Sequence, residues 1–243
     1  MENLLLPSKI EWHKGDGKNQ KTVVIEPCYY GYGTTLGNTL RRVLLSSLPG
    51  AAIASFKIKG VDHEFSAVEG VKEDIVEIIL NLKRLIFKLH GDEPVKMTLK
   101  VKGEKVVTSG DFDANAQVEV VDSDLVIATL TDKKSELEME VTVVPGRGFI
   151  SSDNQDKAHL MVGEIAIDST FSPVVAVGYK VENTRVGQIT NYDKLNLYIE
   201  TNGIITPEEA FDQAVDIMIG QFQALKGDQN MAVKGKSEES KEE

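Results

Sequence analysis

The residue types that do chemistry are sparse and scattered in this chain. The histidines are His13, His63, His90 and His159, far apart and in no HExxH or similar ligand spacing, so the sequence gives no sign of a metal centre. The single cysteine, Cys28, lies among Pro27, Tyr29 and Tyr30 without the local signature of a nucleophile, and reads as an inert, half-buried thiol. One cysteine also excludes an intramolecular disulfide and a Cys-based zinc site. The G-x-S-x-G elbow is absent. Gly31-Tyr32-Gly33 opens a helical stretch as a phosphate-binding turn would. Its third glycine is Gly37, one residue late for G-x-G-x-x-G, and no βαβ unit follows. Gly235-Lys236-Ser237 resembles the end of a P-loop, but Asn230 stands where the upstream glycine belongs. Gly146-Arg147-Gly148 reads as a loop carrying a solvated arginine, and Glu64, Glu69, Glu73, Asp74 and Glu77 as a charged helix face. The chain does not look like an enzyme by itself, and neither a catalytic residue nor a cofactor is expected in it.

What remains is Arg41-Arg42. Adjacent residues of a helix point about 100° apart, so the two guanidiniums cannot both face an apolar core. They suit bidentate pairing with carboxylates on a partner protein. Plain solvated charge is the other reading.

The elements that must position these residues are mostly strands. Val95, Met97, Leu99 and Val101 alternate with Lys96, Thr98, Lys100 and Lys102, and Leu137, Met139, Val141 and Val143 alternate with Glu136, Glu138, Glu140 and Thr142. Val175, Val177, Tyr179 and Val181, then Leu195, Leu197 and Ile199, repeat the pattern. Such alternation marks half-buried antiparallel strands. Shorter candidates span 21–26, 52–59, 117–121 and 125–130. Helical spacing predicts three helices. The first covers about 33–48, carries Leu36, Leu40, Val43, Leu44 and Leu48 on one side, and ends at Pro49-Gly50. The second covers about 71–89. The third covers about 207–226, with Thr206 as N-cap, Pro207 in the first position and Glu209 completing a capping box. Its apolar residues Phe211, Val215, Met218, Phe222 and Leu225 are spaced 4, 3, 4, 3, a heptad seam. That seam fits either an amphipathic helix on its own sheet or a helix that packs on a partner. After Gly227, residues 228–243 are poor in apolar side chains and read as a flexible, linker-like tail.

Composition agrees with an ordinary folded protein. The 243 residues are 41% hydrophobic, enough to bury a core in one large or two small domains. The net charge of −11 opposes autonomous binding to DNA or RNA, which calls for concentrated Lys and Arg. Residues 1–50 nevertheless carry +2, leaving −13 for the remainder. Met1–Pro7 has no basic region before its three leucines, and no stretch approaches the roughly 20 apolar residues of a membrane helix. A cytoplasmic α+β protein without a membrane segment is the expectation.

The run from Gly31-Tyr32-Gly33-Thr34 through Leu40-Arg41-Arg42-Val43 to Ser46-Ser47 resembles the first helix of the bacterial RNA polymerase alpha subunit. Gly60-Val61-Asp62-His63-Glu64-Phe65, Glu69-Gly70-Val71-Lys72-Glu73-Asp74, Asn81-Leu82-Lys83, Phe171-Ser172-Pro173-Val174, Glu200-Thr201-Asn202-Gly203 and Pro207-Glu208-Glu209-Ala210 continue the resemblance in order, over about 21–226. It covers the amino-terminal domain of that family.

The resemblance implies a discontinuous dimerisation subdomain of a sheet plus two helices, 1–49 plus 174–227, with a β-rich subdomain, 50–173, inserted in it. It implies a homodimer whose first and third helices pack across a two-fold axis, through Tyr32, Leu36, Leu40, Phe211, Val215, Met218, Phe222 and Leu225. The dimer would scaffold the beta and beta-prime subunits for transcription. Arg42, with Arg41 beside it, matches an arginine important for beta contact, and Lys83, Ile167 and Asp168 match positions near large-subunit contacts. The nucleotidyltransferase activity implied is that of the complex. Family members usually continue through a linker into a small helical domain that binds promoter DNA and activators. The tail here has linker character, so no DNA contact is carried over. The competing expectations are a stand-alone dimeric β-rich enzyme, which would need His63, His90, His159 and carboxylates gathered in one cleft, and a dimeric binding module unrelated to transcription.

Overall fold

A computed structural model describes residues 4–155, 161 and 163–226. His159 and the stretch 228–243 lie outside the described residues. In chain order the elements are β1 (Lys9–Lys14), β2 (Gln20–Cys28), α1 (Tyr32–Ser46), β3 (Pro49–Ile58), α2 (Ile75–Leu82), β4 (Phe87–Leu89), β5 (Val95–Lys102), β6 (Lys105–Thr108) and β7 (Val118–Val120). There follow β8 (Val126–Leu130), β9 (Glu136–Arg147), β10 (Phe149–Ile150), β11 (Ile165–Ala166), β12 (Ser169–Thr170), β13 (Val174–Val186), β14 (Ile189–Thr201) and α3 (Pro207–Lys226). The fold is sheet-rich α+β.

The two ends of the chain share one antiparallel sheet, in the order β1-β2-β14-β13. Its inward positions include Val23, Ile25, Leu195, Leu197 and Ile199, which close on Leu40, Leu44 and Leu48 at α1 and on Ala210, Phe211 and Ala214 in α3. α1 comes close to the sheet because its inner face carries glycine. A Cβ on Gly37 would stand 2.8 Å from the Tyr179 ring. The near-match to a phosphate-binding turn is therefore a packing feature.

A second sheet, β11-β3-β9-β5, is built from the middle of the chain together with the two-stranded antiparallel sheets β4-β7 and β6-β8. It has its own hydrophobic core, in which Phe56, Leu99, Leu137 and Val141 meet Ile75, Ile78 and Leu82 of α2. Burial of each such side chain contributes roughly 1.5–3 kcal/mol, so both cores are substantial. The chain passes from one core to the other at 47–50 and returns at 171–174.

Several expectations need correction. Of Glu64, Glu69, Glu73, Asp74 and Glu77, expected on one helix face, only Glu77 lies in a helix, and Glu73 instead accepts the Thr129 N–H and hydroxyl. The second helix spans only Ile75–Leu82. Asp74 caps it by accepting the Glu77 N–H at 2.7 Å. Upstream, Val71 bridges Leu130 and the Lys72 N–H donates to Thr129. Downstream, Phe87–Leu89 pairs with Val118–Val120 as strands. Strand partners on both sides override a helical spacing that the sequence alone cannot distinguish. In β13 a register shift between Val174 and Ala176 turns Val175 outward, 61% exposed, and puts Val174 into the core. The third helix follows expectation: the Thr206 N–H donates to Glu209 Oε2 at 2.8 Å and the Glu209 N–H to Thr206 Oγ1 at 3.2 Å, a reciprocal capping box.

Candidate assembly surfaces

α1 buries Gly33, Gly37, Leu40 and Leu44, at helical spacing. That stripe leaves Arg41 and Arg42 on the exposed side. Among the described residues neither guanidinium has a hydrogen bond or ion pair, so both are free to pair with an incoming carboxylate. The helix is anchored at its start by Asp193, a buried carboxylate of β14 whose Oδ2 accepts the Gly33 N–H at 2.9 Å. The anion position at this helix N-terminus is thus taken by the chain's own side chain.

The heptad seam of α3 divides. Phe211 is 9% exposed and stands edge-on to Trp12, with ring centroids 5.7 Å apart. Val215 and Met218 are half-buried against the same core. Beyond them the helix runs off its own sheet: Ile219, Phe222 and Leu225 are exposed, the last two by 61% and 82%. Between α1 and α3 lies a cavity of about 440 Å³ bordered by Val43, Met218, Phe222 and Arg147. Of the α1 residues assigned to a dimer contact, Leu40 lies within the chain's own core, Leu36 is half-buried, and Tyr32 is exposed with its ring edge-on to Tyr29. Leu40 and Phe211 therefore support the helix pair from behind, and Tyr32, Phe222 and Leu225 present its free surface.

The third cluster joins distant parts of the chain. Lys83, at the C-terminal cap of α2, bonds Asp168 at 2.8 Å. Asp168 also accepts the Ser152 N–H at 2.9 Å. The Lys83 ammonium above all, and then the Ser152 amide, hold the Asp168 carboxyl down to about 2. Ile167 is 2% exposed; its side chain belongs to the core, and its N–H donates to the Ala54 carbonyl at 2.9 Å. A partner would therefore meet Asp168 rather than the Ile167 side chain.

Two residues escaped the reading of the sequence. Asp193 has the same parity as Leu195, Leu197 and Ile199, and a carboxylate in inward register is a signal for a buried structural role. Arg147 is not simply solvated: its guanidinium donates to the Ser47 carbonyl at the end of α1. Local sequence carries no trace of that contact. His13, His63 and His90 are exposed, and among the described residues no group of three His, Cys, Asp or Glu side chains is placed to hold a metal. No helix among them is long and apolar enough to cross a membrane.

Residues 56–172 match the family model of the RNA polymerase Rpb3/RpoA insert domain. The chain is 49% identical over 224 residues to the DNA-directed RNA polymerase subunit alpha of Alkaliphilus metalliredigens, covering 90% of this chain and 71% of the relative. It is 51% identical over 219 residues to that of Moorella thermoacetica, covering 90% and 69%. With that of Alkaliphilus oremlandii it shares 53% over 194 residues, covering 80% and 61%. The chain thus spans between three fifths and seven tenths of the length of these relatives.

Proposed function

The chain belongs to the family of DNA-directed RNA polymerase alpha subunits, and from that premise we propose that it is a homodimeric scaffold on which the beta and beta-prime subunits assemble for the transcription of DNA into RNA. In this reading 1–49 plus 174–227 form the dimerisation subdomain, 50–173 the inserted β-rich subdomain and 228–243 a linker-like tail. The two-fold contact is made by α1 and α3, through Tyr32, Leu36, Val215, Met218, Phe222 and Leu225, with Leu40 and Phe211 behind them. Arg41, Arg42, Lys83 and Asp168 meet the large subunits, with Ile167 setting the position of Asp168. The chain contributes no catalytic residue or cofactor of its own, contacts no DNA and no membrane, and works in the cytoplasm; nucleotidyl transfer is the work of the assembled complex.

One observation carries the reading. The exposed end of α3 continues the spacing of its buried half, so its apolar side chains lie in register for a helix that the described residues of this chain do not supply. Burying Phe222 and Leu225 against a second copy removes from water two side chains worth roughly 1.5–3 kcal/mol each. Light scattering on the intact chain tests it. A dimer is expected, and Phe222→Glu with Leu225→Glu reduces it to monomer with its fold intact. A monomeric parent chain, or an unchanged dimer in the double variant, rejects this contact.

A further inference from the structure

We propose that Arg147 is a positioning residue: it locks the end of α1 to the turn between β9 and β10 and so fixes the spacing of two candidate docking clusters, Arg41–Arg42 on α1 and Lys83–Asp168 beside α2. The docking part rests on the function proposed above; the mechanical part does not.

α1 has no cation in its last turn. The closing carbonyls of a helix need donors, and its C-terminus favours positive charge. Arg147 supplies both from 100 residues away, donating Nη1–H to the Ser47 carbonyl. The backbone is close as well. Gly148 has φ +65°, and a Cβ there would lie 3.2 Å from the Ser46 carbonyl oxygen. The same turn grips the return passage. The Phe171 N–H donates to the Gly148 carbonyl at 2.8 Å, and a Cβ on Gly146 would stand 2.7 Å from the Phe171 ring. Both crossings between the two cores therefore meet at 145–148.

The next few residues reach the second cluster. Phe149 and Ile150 pair with Thr170 and Ser169, and the Ser152 N–H binds the Asp168 carboxylate that faces Lys83. Six residues, 147–152, thus run from the helix that carries Arg41 and Arg42 to the Lys83–Asp168 pair. A large partner that engages both clusters at once must match their spacing. A scaffold held at that spacing loses less freedom on binding than one that samples several. Arg147 touches neither cluster, so its contribution is geometric.

The test measures that geometry in the full-length chain. Spin labels are placed at Asn38→Cys on α1 and Glu119→Cys on β7, both exposed, while the native Cys28 is buried. Labelled chain is diluted with excess unlabelled chain, and distances are read by pulsed electron double resonance. Arg147→Met keeps an apolar stem beside Met218 and Phe222 and removes every donor. A narrow distribution in the parent should broaden in R147M and sharpen again in Arg147→Lys. Capture of the large subunits should weaken about tenfold in R147M, because a scaffold that samples several spacings loses more freedom on binding, with the dimer mass unchanged. A distribution as narrow in R147M as in the parent overturns the proposal, and so does broadening that R147K does not reverse. If the parent chain captures no large subunit, the docking reading fails and the distances still decide the role of Arg147.

Discussion

Lys83 and Asp168 stand 85 positions apart in the chain and 2.8 Å apart in the structure. Lys83 closes α2, where a cation is favoured by the helix dipole. Asp168 lies just before β12 and takes a second bond from the Ser152 amide. The pair therefore ties the helix layer of the insert to the strand that leads back to the terminal sheet. Its lysine is 33% exposed and its aspartate 35%, so it is also a charged feature that a partner can reach.

This pair makes stability depend on pH in a defined window. The folded Asp168 carboxyl is held down to about 2, below its ordinary value of 3.8. A depressed carboxylate contributes stability that is fully present above the ordinary value and is lost as pH falls towards the folded one. The contribution is about 1 kcal/mol once solvent screening of a one-third exposed pair is allowed for. Unfolding free energies of the parent and Asp168→Asn from urea titrations should differ by that amount at pH 7. The gap should close between about pH 4 and pH 2. A gap that persists unchanged to pH 2.5 would show that the ionised Asp168 carboxylate is not the source of the difference.

Arg42→Ala should separate docking from folding. The side chain is exposed and has no polar partner among the described residues, so its loss should change stability by no more than about 0.5 kcal/mol. If Arg42 meets a large-subunit carboxylate, the variant should retain its dimer mass and lose at least about tenfold in capture of beta, because an arginine buried at an interface is a common hot spot. Undiminished capture would remove Arg42 from the contact. Arg41→Ala in parallel tells whether the neighbouring guanidinium shares the load.

Much of this organisation was legible in the residues. The parity of Leu195, Leu197 and Ile199 gave the inward face of β14, and Thr206 with Glu209 gave the start of α3. The ends of α2 were not legible, because Phe87 and Leu89 fit helical spacing as well as strand alternation and only Val118–Val120 decides between them. The bulge that turns Val175 outward is set by pairing with β14, not by the local sequence. The exposed surfaces proposed for assembly were half legible. Spacing identified the α3 seam, but where that seam leaves its own sheet depends on how far the sheet extends. Arg147 and Ser47 lie far apart along the chain, and such a contact is visible only once both crossings are placed.

Asp193 should behave as a capping residue. It accepts the Gly33 N–H from a buried position, so Asp193→Ala leaves an α1 N–H without its partner. The expected cost is about 1–2 kcal/mol, and Asp193→Asn, which can accept the same bond, should recover most of it. Thermal unfolding of the two variants decides this. An asparagine variant as weak as the alanine variant would mean that the charge and not the bond matters.

Phe211 and Phe222 sit eleven residues apart on one seam, and their substitutions should separate cleanly. Phe211 packs on Trp12 in the chain's own core. Phe211→Ala should therefore cost about 3–4 kcal/mol of stability through lost burial and the cavity left behind. Phe222 is exposed within the chain, so Phe222→Ala should leave the stability of an isolated subunit within about 0.5 kcal/mol. Its effect should appear in the concentration dependence of unfolding, because a side chain buried only by a second copy stabilises by mass action. Unfolding midpoints recorded over a hundredfold range of protein concentration should rise with concentration in the parent and in F211A. The rise should be shallower in F222A. A midpoint independent of concentration in the parent chain would show that the exposed end of α3 has no second copy to bury it.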